Sequence, residues 1–459
     1  MSAAGAGGVA ALHSAPHLLP IATPPLREGA VAVRADGTIA AVGPRAELRA
    51  AYPSLPERRW EGTLLPGLVN AHTHLQYTDL AEVGAREHDG FEAWCAAFDA
   101  RYPQADPDGW GDAARRGLEL SLRAGVTCFG DVVTDDAARD VLRDAGVAGI
   151  AFLETLGDDD AGWAAGGRDR YLARLDAAGA NVAGAGGGLA AGGAGAASAC
   201  FGVSPHAPYS VDGAVLADLG RIARDCGLRL HVHLAESQLE HELVEAGSGR
   251  LAQLVAEWGW SLALLDDPAG VSPARYLDAR LALGPDCHVA HGVALDADDR
   301  ALLRERGCAV ALCLRSNRTI GVEEPPLAAY LRERSPLCVG TDSLASAPSL
   351  DLLGELPPLR ALAREQGYRD GDLDARLLHA ATAGGAAALG LAHRLGGPGT
   401  GAGARSIPGV GVLASGARAD LAHLAVRPLE GESPEHAVVT RGVSACTATV
   451  VAGAVHTWG

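Results

Sequence analysis

Two histidines one residue apart, His72 and His74, close the apolar run PGLVNAHTHL (66–75). Extended backbone alternates its side chains, so both would project from one face of a strand. Two imidazole nitrogens placed that way can bind one metal ion. The pair alone is a weak signal, because alternation makes two same-facing histidines easy to reach by chance. Other polar residues stand at the ends of comparable runs. His206 follows CFGVSP (200–205), His233 and Glu236 close LRLHVHLAE (228–236), and His291 lies in CHVAHGV (287–293). Ser316 closes CAVALCLRS (308–316) with Asn317 directly after it, and Asp342 closes PLCVGTD (336–342). Three histidines and an aspartate aimed at one point form a zinc-type donor set that leaves a position open for water. The chain contains no lysine, since all 38 basic residues are arginine. No Schiff base, lysine general base or carbamylated lysine can form.

These residues can meet only if the runs that carry them are neighbours in one sheet. Eight such runs occur, at 64–71, 125–132, 147–156, 200–205, 228–236, 287–293, 308–316 and 336–342. Amphipathic stretches such as DDAARDVLRDAG (135–146) and LDADDRALLRERG (295–307) separate them. Gly125, Gly146, Gly227 and Gly307 each precede a strand, where a left-handed helix cap turns the chain back into the sheet. Continuous apolar strands alternating with helices predict a parallel sheet buried on both faces. Eight units predict an α/β fold, a (β/α)8 TIM barrel over 64–399, with its reactive residues at the C-terminal ends of the strands.

The flanks read differently. GAVAVRADGTIAAVG (29–43) alternates about Asp36-Gly37, a hairpin signal, and HAVVTRGVSACTATVVAGAVHTW (436–458) is rich in strand formers. The two ends, 1–63 and 400–459, are expected to pair into a small β-sandwich. The segment LGGPGTGAGARSIPGVG (395–411) reads as a linker or insertion, and the Gly/Ala-rich run 183–199 as a loop before the fourth strand.

A net charge of −18 argues against nucleic acid and anionic membrane surfaces as partners. The N-terminus lacks the basic region of a signal peptide. Nine cysteines with no CxxC pair read as reduced thiols of a cytoplasmic protein. A small-molecule substrate is the expected partner, and homo-oligomerisation is compatible with the sequence.

Taken together, PGLVNAHTHL, HVHLAES, HVAHGV and GTDSLAS resemble the amidohydrolase superfamily, in its branch of mononuclear deaminases and chlorohydrolase-like enzymes. The likeness extends over essentially the whole chain. It implies His72, His74, His233 and Asp342 as ligands of one Zn²⁺, with Fe²⁺ as the alternative. Family spacing sets the acid three residues after the ligand, which selects His233 over His231 and leaves His231 in the core beneath. The resemblance implies Glu236, His291 and Asp342 as catalytic residues. In that chemistry bound zinc lowers the pKa of its water to about 7, and Asp342 takes the proton of the resulting hydroxide's parent water. Glu236 protonates a ring nitrogen of a heterocycle, His291 stabilises the alkoxide, and ammonia leaves. Two-metal members commonly use the carbamylated lysine that this chain lacks, so one ion is implied.

NAHTHLQYTDL with FEAWCAAF, and CLRSNRTIG with GTDSLASAPSLDLLGEL, look most like the aminodeoxyfutalosine deaminases of menaquinone biosynthesis. The implied substrate is a 6-aminopurine nucleoside. From position alone, Gln76, His206 and Asn317 are expected in the pocket, and Arg315 or Arg318 would meet a substrate carboxylate. Ser343 and Ala347 stand where the common GTDGxxSN ending has Gly and Asn. Adenosine, S-adenosylhomocysteine, guanine or a triazine-like ring are alternative substrates. A non-catalytic ligand-binding barrel is the alternative class, and the intact polar set argues against it.

Overall fold

The computed structural model describes residues 8–106, 109–179, 199–393 and 408–458. Apart from Ala199, the Gly/Ala-rich run 183–199 lies outside the described residues, as does most of the segment 395–411. The N-terminal strands are β1 (Val9–Leu18), β2 (Leu26–Arg34), β3 (Ile39–Pro44), β4 (Glu57–Arg59) and β5 (Thr63–Pro66). Next come β6 (Leu68–Thr73), β7 (Val126–Val133), β8 (Ala148–Thr155) and β9 (Ala199–Pro205). They are followed by β10 (Arg229–Leu234), β11 (Cys287–His291), β12 (Ala309–Leu312) and β13 (Leu337–Val339). The last strands are β14 (Leu421–Leu424), β15 (Cys446–Val451) and β16 (Ala454–Thr457).

Strands β6 to β13 form one eight-stranded sheet in sequence order, each parallel to the next. Helices cover its outer face, and β7 and β8 are buried along their whole length, as the apolar runs predict for a (β/α)8 barrel. The seam between β6 and the end of β13 is closed largely by one side chain. Asn70 Nδ2 donates to Thr341 Oγ1 (2.8 Å), and the Thr341 N–H donates to Asn70 Oδ1 (3.1 Å). Beside them the Asp342 N–H donates to the His72 carbonyl (3.0 Å). The first and last barrel strands are thus locked together where two expected ligands sit.

Both chain ends build the second sheet, in the order β16-β15-β14-β5-β1-β2-β3 with β4 beside β1. The β2–β3 hairpin turns at Asp36-Gly37, with Gly37 at φ +79°. The four glycines expected as caps, Gly125, Gly146, Gly227 and Gly307, all have positive φ.

Three features depart from the sequence reading. The first apolar run breaks at Gly67 into β5, paired with β14 in the terminal sheet, and β6 in the barrel. A Cβ at Gly67 would stand 1.9 Å from Thr127 Oγ1, so only glycine fits the crossing. Second, part of the strand-rich tail is a helix, Pro434–Arg441. Ser433 Oγ caps it by accepting from the His436 N–H (3.1 Å), with Pro434 in its first turn, and burial of Val438 and Val439 overrides their strand preference. Third, Ser316 and Asn317 lie on a helix, Leu314–Ile320, rather than on a strand end. Among the described residues no helix is long and apolar enough to cross a membrane.

Candidate metal and active site

The C-terminal ends of the barrel strands surround a cavity of about 480 Å³. His72 near the end of β6, His74 just after it, His233 on β10 and Asp342 after β13 converge at its base. His72 Nε2 lies 3.5 Å and His74 Nε2 3.6 Å from Asp342 Oδ1. His74 Nε2 lies 3.3 Å from His233 Nε2. Donors held about 2.0–2.1 Å from a tetrahedral zinc stand about 3.3–3.4 Å apart, so these separations suit one ion.

The chemistry of the set fits as well. Both ring nitrogens of His72 are buried without a hydrogen-bond partner, an arrangement that proteins seldom leave uncompensated. Burial lowers the pKa of His72, of His74 to about 3 and of His233 well below the ordinary value. Their neutral form is the one that binds metal. His233 Nδ1 donates to the His206 carbonyl (3.0 Å), which fixes Nε2 as the lone-pair nitrogen facing His74. Asp342 Oδ2 accepts from Ser316 Oγ (2.7 Å) and Ser346 Oγ (2.8 Å), and Oδ1 from the Ser343 N–H (2.8 Å). Three donors favour the carboxylate form. Asp131 Oδ1 accepts from the Leu75 N–H (2.9 Å) and steadies the chain beyond His74.

The backbone is bent to reach this arrangement. Ala235, His291 and Asp342 have φ of +50°, +71° and +60°, a region that costs a residue with a side chain about 1–3 kcal/mol. Neighbouring backbone bonds hold the turns: the Gly292 N–H donates to the Leu234 carbonyl (3.0 Å) and the Val293 N–H to the Ala235 carbonyl (2.8 Å).

Glu236 and His291 face each other beside the ligand cluster, with His291 Nε2 3.5 Å from Glu236 Oε1. Burial is the largest influence on Glu236 and raises its pKa, the direction that favours the acid form a general acid needs. His291 Nδ1 is hydrogen-bonded to Asn317 Oδ1 (3.0 Å).

Of the residues expected to contact substrate, only His206 lines the cavity, with Nδ1 2.7 Å from Ser210 Oγ. Gln76 Oε1 accepts from the Thr134 and Asp135 N–H groups (3.0 and 3.1 Å), so its side chain braces backbone. Asn317 stands behind His291. Arg315 Nε donates to buried Glu355 Oε1 (2.6 Å), and Arg318 pairs with Glu324 on the surface (2.5 Å). Neither arginine lines the cavity. His231 lies one layer deeper, its ring stacked on His72 at 4.8 Å. Ser343, at the departure from the common motif, lines the cavity.

Glu154 escaped the sequence reading. It ends β8 in the cavity wall, with Oε2 accepting from Thr134 Oγ1 (2.7 Å) and Oε1 buried without a partner. Burial pushes its carboxyl up to about 7. Its signal was an acid at the end of an apolar run. Also missed was an aromatic rim, although FEAWCAAF spaces Phe91, Trp94, Cys95 and Phe98 at i, i+3, i+4 and i+7, one face of the helix Phe91–Arg101.

The sequence profile of the amidohydrolase family matches residues 63–455. A bacterial imidazolonepropionase-like composite domain matches residues 29–54. An aminodeoxyfutalosine deaminase of Deinococcus radiodurans is 28% identical over 336 residues, covering 71% of this chain and 74% of that one. A 5-methylthioadenosine/S-adenosylhomocysteine deaminase of Nitratidesulfovibrio vulgaris is 29% identical over 409 residues, covering 86% and 79%. Among solved structures, a zinc-bound adenosine deaminase from Xanthomonas campestris has a TM-score of 0.75 over 97% of this chain and 92% of its own, at 23% identity. Helicobacter pylori aminofutalosine deaminase has a TM-score of 0.75 over 97% and 99%, at 19% identity.

Proposed function

This chain belongs to the amidohydrolase family, and we propose that it is a hydrolytic deaminase of adenosine-like nucleosides using one zinc ion held by His72, His74, His233 and Asp342. The observation that carries this reading is the run of donor contacts from His72 to Asp342, Asp342 to His74 and His74 to His233, each of 3.3–3.6 Å, set beside the Glu236–His291 pair. The nucleoside class is supported by relatives named for aminodeoxyfutalosine, 5-methylthioadenosine/S-adenosylhomocysteine and 5′-deoxyadenosine. Within it, aminodeoxyfutalosine, and with it menaquinone biosynthesis, is the finer reading, supported by the D. radiodurans relative. Nine unpaired cysteines suit the cytoplasm as its compartment.

When bound, the ion supplies Lewis acidity and lowers the pKa of a coordinated water to about 7. Iron(II) accepts the same donors. Glu236 is placed to protonate the ring nitrogen next to the 6-amino carbon, which opens that carbon to addition. Asp342 accepts the proton that water loses on attack. His291, tied back by Asn317, turns Nε2 toward the cavity and stabilises the oxygen as the carbon becomes tetrahedral. Proton return to the 6-amino group breaks the C–N bond, so water is consumed, ammonia leaves and a 6-oxo product remains.

The test is a panel of 6-aminopurine nucleosides scored by ultraviolet change and by ammonia release. Stoichiometric ammonia with loss of the 6-aminopurine spectrum supports the reading. No turnover of any member by zinc-loaded protein rejects it.

A further inference from the structure

We infer that a second cavity, at the opposite end of the barrel from the ligand cluster, binds a small organic anion, one carboxylate on a compact apolar body. It measures about 410 Å³, within the range of small-molecule sites. Its wall holds the first residues of four adjacent strands: Arg229 of β10, Cys287 of β11, Ala309 of β12 and Leu337 of β13. The cavity therefore lies on the N-terminal face of the sheet. The other side of the wall comes from the helix Leu373–His379 and its continuation, between Arg376 and Ala388. The site is independent of the deaminase reading, since none of its lining residues belongs to the catalytic cavity.

The charge of the wall selects the sign of the ligand. The whole chain carries −18, yet Arg229, Arg376 and His379 line this cavity, and no carboxylate does among the described residues. Arg229 is half-buried, and its Nη2 donates to two carbonyls, those of Pro285 and Ala388 (2.7 Å each). Its Nε is buried with no partner. Arg376 Nη1 donates to the Leu331 carbonyl (2.6 Å) and to Tyr368 Oη (3.1 Å). Neither arginine has an ion pair among the described residues. The acids near them are engaged elsewhere, Asp286 with Arg224 (3.0 Å) and Asp372 with the Tyr368 hydroxyl (2.7 Å). Outside the described residues the sequence has one acidic side chain, Asp108, and its described neighbour Trp110 stacks on Tyr102 at the catalytic mouth.

A guanidinium drawn partly out of water with no counter-charge is costly, and burial pulls the pKa of Arg229 down. An anion in the cavity relieves that cost. Ser335, 8% exposed, adds a lining hydroxyl that is buried without a hydrogen-bond partner and can donate to the same ligand. The remaining wall is apolar, with Leu331, Pro336, Leu337 and Ala380. Such a surface suits a hydrocarbon body better than a bare inorganic ion.

The experiment is calorimetric titration of the metal-loaded protein with benzoate, with its neutral analogue benzamide and with inorganic phosphate. Benzoate should bind at one site per chain, at least about 10-fold more tightly than either of the others, the scale of one hydrogen-bonded charge. Arg376→Gln should weaken benzoate roughly 10-fold by removing a cation. Ala387→Phe should weaken it as much by filling the cavity from its exposed edge. Both variants should keep a Tm near that of the parent without benzoate. Arg229→Gln should abolish binding, but it also frees two backbone carbonyls, so the other two variants keep the test sound if it fails to fold. Benzamide or phosphate matching benzoate would overturn the inference, as would no binding of benzoate at millimolar concentration. An affinity unchanged in both Arg376→Gln and Ala387→Phe would also overturn it, by placing the carboxylate elsewhere, at the catalytic metal for example.

Discussion

Replacing Arg315 by alanine separates two roles for that residue. Its position in the sequence suggests a partner for a substrate carboxylate. In the structure its Nε donates to Glu355 Oε1 (2.6 Å), and its outer nitrogens donate to Ser349 Oγ (2.9 Å), the Ser349 carbonyl (3.1 Å) and the Asp351 carbonyl (2.8 Å). Glu355 is fully buried, at 0% exposure, and also accepts from the Arg315 backbone N–H (3.0 Å). Removing the guanidinium strands a buried carboxylate, which costs about 3–5 kcal/mol. Unfolding entropy of about 2.1 cal/mol/K per residue, over roughly 400 residues, gives about 0.8 kcal/mol/K. The expected loss in Tm is therefore about 4–6 °C near neutral pH. Burial already raises the Glu355 pKa, and losing Arg315 raises it further. A carboxyl with a raised folded pKa contributes stability that is full below its unfolded pKa of about 4.3 and is lost as pH rises through the folded value. The deficit against the parent should thus be small near pH 4.5 and grow toward pH 7.5, read by scanning calorimetry at both. Arg315→Ala/Glu355→Gln should recover part of the loss. An unchanged Tm at pH 7.5 with KM for a carboxylated nucleoside raised 10-fold would refute the structural role.

Elemental analysis of purified protein should find about one divalent ion per chain, and two tightly held ions would exclude the single-ion site. Glu236→Gln should lower kcat by roughly 10²-fold and keep its metal, whereas His233→Ala should lose metal; equal metal loss in both would reverse those assignments. Asn317→Ala frees the Nδ1 of His291 and should lower kcat roughly 10-fold with KM near the parent value, and a raised KM at full kcat would instead put Asn317 on the substrate. A Cβ at Gly340 would lie 2.7 Å from His72 Cβ, so Gly340→Ala should displace that imidazole and weaken metal retention during dialysis. Full retention would show that the strand yields without moving its ligand.

Polar residues at strand ends were legible because parallel strands buried on both faces have few places to carry an imidazole or a carboxylate. His72, His233, His291 and Asp342 each interrupt or close an apolar run, and the structure brings them to one cavity base. Proximity in sequence said less about where a long side chain goes. On the helix Leu314–Ile320 successive residues differ by about 100°, so Arg315 turns to Glu355 while Asn317 turns to His291. Gln76 sits two residues past His74, yet its amide oxygen is taken up by the Thr134 and Asp135 backbone. Glu154 was hidden in a run that otherwise reads as an ordinary core strand. The helix from Pro434 was masked by β-branched residues, although Ser433-Pro434 is a helix start.

Gly67 alone separates β5 from β6, and β5 needs partners from the far end of the chain. Thr63 Oγ1 donates to the Val426 carbonyl, 363 residues later (2.8 Å). During synthesis at about 5–20 residues per second, that partner emerges about 20–70 s after β5. Leu64 and Leu65, buried in the finished protein, spend that interval on an unpaired strand edge, a template for association with other chains. Messages cut short before codon 421 would therefore yield products that aggregate or recruit chaperones rather than persist as partly working barrels. Synthesis of β14 (Leu421–Leu424), more than the barrel's own closure, sets when the nascent protein becomes safe in a crowded cell.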